Sequence, residues 1–156
     1  MNTPVEHSRS LRSLGLLMLV LGLPALALGA CSSDESSSDV LLSEWIVEPD
    51  PGSVDAGEVE LTGDNQGGEL HELVVVRADS AEDLPTDDDG AVVEDELPEG
   101  SLVGEIEDIE SGDQASATFD LETGNYVLFC NITEVEDDGE VESHFAEGMH
   151  SEFTVN

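Results

Sequence analysis

The segment NYVLFCNITEVEDDGEVESHFAEGMH, residues 125–150, gathers Cys130, His144, Met149 and His150 in a chain otherwise crowded with carboxylates. Outside it the sequence holds one other cysteine, Cys31, two other histidines, His7 and His71, and two other methionines, Met1 and Met18. Thirteen residues separate Cys130 from His144, four separate His144 from Met149, and His71 stands just before the apolar run ELVVVRA. Thiolate, imidazole and thioether are soft or borderline donors. They favour copper or zinc over the calcium or magnesium that so many acids would otherwise suggest. Zinc usually avoids thioether, so Met149 turns the set towards copper. Read alone, Cys130 is a buried inert thiol, a ligand or a nucleophile. Strand alternation places it on one face with Tyr126 and Leu128, which suits burial. A hydrolytic pair of Cys130 and His144 would leave Met149 idle and has no visible oxyanion hole. No catalytic residue is assigned, and the chain reads as a non-enzyme.

The start of the chain reads as a processing segment. Arg9 and Arg12 precede an apolar run at 14–30 that Gly22 and Pro24 interrupt and small residues end, as in a signal peptide over 1–30. Leu28-Gly29-Ala30-Cys31 resembles a bacterial lipobox, which implies cleavage before Cys31 and lipidation of its thiol. An ordinary secretory peptide with a chance cysteine is the alternative. Residues 31–39, rich in Ser and Asp, suit a tether, and 40–156 a single domain. These readings place the protein outside the cytoplasm, at the cell surface or the outer face of the cytoplasmic membrane, with that membrane as a partner through the lipid. There Cys130 has no thiol partner.

Cleavage leaves 37 of the 38 acids and Arg77 as the one basic side chain, a formal charge of about −36. Such a surface excludes nucleic acid and anionic lipid as direct partners. The acids are spread along the whole chain, which points to solvation in a saline, halophilic setting rather than to one docking patch. They alternate with valine, leucine and isoleucine, so residues 40–156 are expected to fold rather than stay disordered.

The elements that must position the donors are short, β-branched and separated by Gly, Pro, Asn and Asp. Strands are predicted at 42–48, 57–62, 72–78, 102–106, 115–121, 125–131 and 152–155. In 115–121, Ala115, Ala117, Phe119 and Leu121 share a face. Residues 80–100 form a long acidic excursion with a short helical turn. Seven short strands with turns between them indicate an all-β, antiparallel β-sandwich of about seven to eight strands. TDDDG at 86–90 lacks the spacing of a calcium loop and reads as a solvated turn. Gly67-Gly68 reads as a turn, Trp45 as core or edge packing, and His150 as an exposed bystander.

The pieces NQGGELHELVVV and GNYVLFCNI…HFAEGMHSEFTV resemble the cupredoxins, the small blue-copper proteins such as plastocyanin. The resemblance spans residues 42–156. It implies a Greek-key sandwich, one copper ion per domain and, commonly, single-electron transfer. It would make His71, Cys130 and His144 the equatorial ligands and Met149 the axial one. One departure is the insert ITEVEDDGEVES between Asn131 and His144, where the family keeps cysteine and histidine close. A monomer is expected. Three functions stay open: an electron carrier meeting a redox partner protein, a copper-binding or copper-delivery protein meeting a copper-handling partner, and an accessory module with no functional metal.

Overall fold

Strict alternation builds one face of this protein and continuous apolar runs build the other. The structure is a computed structural model that describes residues 36–136 and 139–156. The expected signal peptide, Cys31 and the first residues of the expected tether lie outside the described residues. Eleven strands are present among the described residues: β1 (Ser36–Ser43), β2 (Ile46–Asp50), β3 (Ser53–Val54), β4 (Gly57–Asn65), β5 (His71–Val76), β6 (Leu102–Ile109), β7 (Gln114–Leu121), β8 (Gly124–Phe129), β9 (Thr133–Val135), β10 (Val141–Ser143) and β11 (His150–Val155). One sheet runs β2-β1-β4-β7, the other β3-β11-β8-β5-β6, and β9 pairs only with β10. The chain changes sheet between β2 and β3, β3 and β4, β4 and β5, β6 and β7, and β7 and β8. That is the all-β Greek-key sandwich expected from the sequence. Two of its pairings are parallel, β1 with β4 and β11 with β3; the rest are antiparallel.

In the first sheet, Val59 and Leu61 of β4 are buried while Glu58 and Glu60 face solvent. Phe119 and Leu121 of β7 point the same way, with Ala115 and Ala117 packed beside them. In the second sheet the central strands β5 and β8 are buried on both sides. Leu73 and Val75 of β5, with Tyr126 and Leu128 of β8, face the sandwich core. Val74, Val76, Val127 and Phe129 form a second cluster with Leu84, Val92 and Phe145. The excursion at 80–100 thus covers the outer face of this sheet, which is why the runs LVVV and YVLF carry no polar alternation. Its helical content is two single 3-10 turns, Ala81–Asp83 and Glu94–Glu96. TDDDG is a turn held by the Asp87 carboxylate, which accepts from the Asp89 and Ala91 amides at 3.0 Å each.

Two boundaries differ from the sequence reading. The run 42–48 is not one strand. β1 ends at Ser43, the chain turns at Glu44-Trp45, and β2 returns antiparallel with Leu42 opposite Val47. Both of those residues are buried. Five positions apart, they could not share a face of one strand, whose side chains alternate with period two. The strand also begins at Ser36, inside the stretch read as tether, and Ser36–Asp39 pair with Val59–Thr62. Ser38 is buried there and donates to the Pro51 carbonyl at 2.8 Å. Among the described residues no helix is long and apolar enough to cross a membrane.

Candidate metal centre

His71 is the first residue of β5, opposite Ile109 of β6, and a register irregularity separates it from Leu73. The turn before it is fixed by Asn65. Its amide nitrogen donates to the Glu69 and Ile109 carbonyls at 2.7 Å each, and its side-chain oxygen accepts from Gly67 N at 2.9 Å. The Glu44 carboxylate reaches across from the β1–β2 turn and accepts from Gly68 N at 2.6 Å and Glu69 N at 3.0 Å. A Cβ at position 67 would lie 2.6 Å from that carboxylate, so this close approach requires Gly67.

Cys130 follows β8, and its amide donates to the Met149 carbonyl at 3.0 Å, extending the β8–β11 ladder. Asn131 then anchors the strand end. Its amide donates to Glu72 at 3.1 Å, and its side chain exchanges hydrogen bonds with the Val92 backbone at 2.7 and 3.0 Å. The insert from 132 to 143 is a β-hairpin. Its base closes through Thr133 opposite Ser143 and through His144 N donating to the Ile132 carbonyl at 3.0 Å. The chain therefore returns His144 to the neighbourhood of Cys130 despite the insert. From His144 a tight loop leads to Met149, whose amide donates back to the His144 carbonyl at 2.9 Å. Gly148 in that loop has φ +114°, a conformation that side chains oppose.

Three of the four expected donors converge. His71 Nδ1 and His144 Nδ1 are 3.2 Å apart, Cys130 Sγ is 3.4 Å from His144 Nδ1 and 3.9 Å from His71 Nδ1. The circle through these three atoms has a radius of about 2 Å, close to the about 2.0–2.1 Å of a zinc–imidazole bond. The separations are thus of the size expected for donors gathered round one first-row metal ion. Cys130, His71, His144 and Met149 are all fully buried. Met149 is tied to Cys130 and His144 by backbone hydrogen bonds and packs in the sandwich core. His150 is exposed, tilted against Phe145, and outside the cluster.

The electrostatics suit ligation. Burial holds both imidazoles below the usual histidine range, with the neighbouring His144 adding to the effect at His71. They are neutral, as ligands must be. Burial pushes the Cys130 thiol up to about 11. It is protonated in the absence of a metal, and a bound cation must displace that proton.

Around the donors stand three residues that sequence reasoning did not assign to the site. Trp45 packs against the core as expected, and its ring also meets His144 edge-on, centroids 5.4 Å apart. Glu44 Oε1 lies 3.7 Å from His71 Nε2, and Glu69 Oε2 lies 3.5 Å from His144 Nε2. Glu69 sits two residues before His71, a faint sequence signal. Glu44 gave none. The Glu69 carboxyl is raised above the ordinary glutamate range by burial first, and then by repulsion from Glu134, Glu44, Glu142 and Glu136. Glu44 is held below that range chiefly by backbone hydrogen bonding.

No protein-family model matches the chain, and no curated protein sequence matches it. Solved structures do. A dithionite-reduced auracyanin from the photosynthetic bacterium Roseiflexus castenholzii is 18% identical, with a TM-score of 0.55 over 78% of this chain and 98% of that one. Auracyanin B is 19% identical, with a TM-score of 0.53 over 78% and 88%. A methionine-to-glutamine variant of rusticyanin is 15% identical, with a TM-score of 0.50 over 78% of each chain. At these identities the likeness speaks for the fold, which is that of the cupredoxins.

Proposed function

We propose that this protein binds one copper ion through His71, Cys130 and His144, with Met149 as a weak axial ligand, and carries single electrons outside the cytoplasm. The observation that carries the reading is the triangle of two imidazole nitrogens and one sulfur, of metal-bond dimensions and fully buried. When bound, copper supplies a one-electron couple. The chain supplies fixed donors and a dry site. Imidazoles serve both oxidation states, while thiolate and thioether favour the reduced one. Three of the four donors are pinned by backbone hydrogen bonds within the site: Cys130 to Met149, Met149 to His144, His144 to Ile132. Such fixed donors resist rearrangement on a change of charge, which suits a carrier better than a delivery protein. The reading includes no enzymatic step. The lipobox-like LGAC supports attachment to the outer membrane face through Cys31, next to a redox partner protein.

The test is copper(II) titration followed by visible absorption and voltammetry. One equivalent should give an intense thiolate-to-copper band and a reversible one-electron wave. Cys130→Ser should remove the band, and Met149→Leu should keep it at a higher potential. An unchanged spectrum in Cys130→Ser sinks the ligand assignment. Rapid loss of copper(I) to a modest chelator, with no reversible wave, turns the reading to delivery.

A further inference from the structure

An imidazole that binds a metal through Nδ1 as the neutral ring must carry its proton on Nε2. Ligation at the triangle therefore creates two buried Nε2–H donors, one on His71 and one on His144. Both Nε2 atoms are buried with no hydrogen-bond partner among the described residues, and so is Glu69 Oε2. The unmet acceptor on Glu69 faces the unmet nitrogen of His144 at 3.5 Å, and Glu44 Oε1 faces that of His71 at 3.7 Å. These separations are too long for hydrogen bonds and short enough that a small side-chain rotation makes them. A buried donor left unmet is destabilising, so closure is favoured once the proton is fixed on Nε2.

We infer that Glu44 and Glu69 are positioning residues for the two ligand imidazoles, Glu44 accepting the Nε2–H of His71 and Glu69 that of His144. This rests on the copper reading above and adds to it what holds the ligands. Each carboxylate selects the tautomer that turns the Nδ1 lone pair towards Cys130. Each also places negative charge at the far edge of its ring, which raises ligand basicity and favours the more highly charged oxidised ion. The two supports are mechanically joined. Glu44 fixes the turn that carries Glu69 by accepting from Gly68 N and Glu69 N, and only a glycine at 67 lets it approach. Trp45, next to Glu44, closes the side of His144. The turn between β1 and β2, which divides what looks like one strand, is thus what brings Glu44 and Trp45 to the site.

The experiment compares the wild-type full chain with Glu69→Gln, Glu69→Leu and Glu44→Gln. It measures copper(II) and copper(I) affinity, reduction potential, and exchange of the imidazole Nε2–H protons by NMR in the diamagnetic copper(I) form. Glu69→Gln keeps an acceptor and loses the charge. It should retain the thiolate band while the ratio of copper(II) to copper(I) affinity falls about tenfold, which is a rise of about 59 mV for one electron. Glu69→Leu should shift further in the same direction and speed exchange of the His144 Nε2–H. Glu44→Gln should act likewise, with the NMR change at His71. A purely structural role for these acids would move stability and leave potential and exchange unchanged; that result in all three variants overturns the inference while the copper reading stands. A wild type without the thiolate band overturns the copper reading, and this inference with it.

Discussion

Residues 80–100 and residues 132–143 are both acidic segments set between strands. Both reach the site, the first through Val92 against Asn131 and the second through its base beside His144, yet they fold on different terms. The first places Leu84 and Val92 in buried positions against the outer face of β5 and β8. The second leaves Val135 74% exposed and Val141 41% exposed, as a cross-strand pair on a hairpin whose strands pair with no other strand among the described residues. Only its base is built in, through Ile132 against the core and buried Ser143. Density of carboxylates does not distinguish the two. What separates them is whether the apolar residues between the acids meet an uncovered sheet. The excursion finds one, and the hairpin finds only itself.

The largest consequence is in stability. Burying Leu84 and Val92 is worth about 1.5–3 kcal/mol apiece. Leu84→Ala should cost about 2–5 kcal/mol in a denaturant titration of the metal-free protein. Asn131→Ala removes the clamp on the Val92 backbone and leaves its amide unmet, costing about 1–3 kcal/mol. Because Asn131 adjoins Cys130, this variant should also bind copper more weakly. Val135→Thr and Val141→Thr should stay within about 0.5 kcal/mol of wild type. A hairpin substitution as costly as Leu84→Ala would erase the distinction.

That distinction was half legible in the sequence. The four donor residues stood out because their types are so scarce in this chain, and alternation gave Val59 and Leu61 or Phe119 and Leu121 their facing. LVVV and YVLF also carried a message, since runs without polar alternation require a cover on both faces. Which segment supplies that cover depends on contacts between distant parts of the chain. The break at Glu44-Trp45 was hidden because LSEWIVE has a strand-like composition, and only the phase slip between Leu42 and Val47 betrays it. Glu44 meets His71 through tertiary folding alone, so no local spacing could have assigned it.

A second effect concerns charge, and separates the hairpin from the excursion by pH and salt. Glu69, Glu72, Glu105 and Glu142 are all raised above the ordinary glutamate value of 4.5, burial being the largest cause in each. The folded state therefore holds those protons more tightly than the unfolded chain. Their stabilising contribution is complete below that ordinary value and is lost as pH rises through the folded-state values. Glu44 and Glu82, held low, act in the opposite sense. His71 and His144, buried neutral and held below the ordinary value of 6.5, also cost stability as pH falls. The melting temperature of the metal-free protein should therefore drop as pH goes from 7 through 6.5, and the raised glutamates should offset that loss only as pH nears 4.5. Repulsion among Glu69, Glu134, Glu136 and Glu142 is partly solvent-facing, so molar salt, with a screening length of about 3 Å, should relieve it. Glu134→Gln with Glu142→Gln should raise the melting temperature in dilute buffer and lose most of that gain in molar salt. A gain equal at both ionic strengths would mean that screening is not what these acids respond to.

The smallest effect is expected where the sequence departs most from the cupredoxin pattern, at the tip of the hairpin. His144 is placed by its amide bond to Ile132, by Thr133 opposite Ser143 and by the return bond from Met149, all at or below the base. The turn above Val135 and Val141 closes on itself, Glu136 N donating to the Glu140 carbonyl and Gly139 N to the Glu136 carbonyl, both at 2.9 Å. Replacing residues 136–140 with Asn-Gly would join the two valines by a two-residue turn suited to a hairpin. Closure entropy changes by about 0.6 kcal/mol for each halving of loop length, so the shortened chain should be slightly more stable. Copper affinity and the thiolate band should match wild type within about threefold, which is about 0.65 kcal/mol. Removing 132–143 entirely is a different cut. It deletes the acceptor for the His144 amide and the packing of Ile132, and copper binding should then fall sharply. If the tip replacement alone abolishes binding, the hairpin acts on His144 through its whole length, and its resemblance to a free-standing ornament is false.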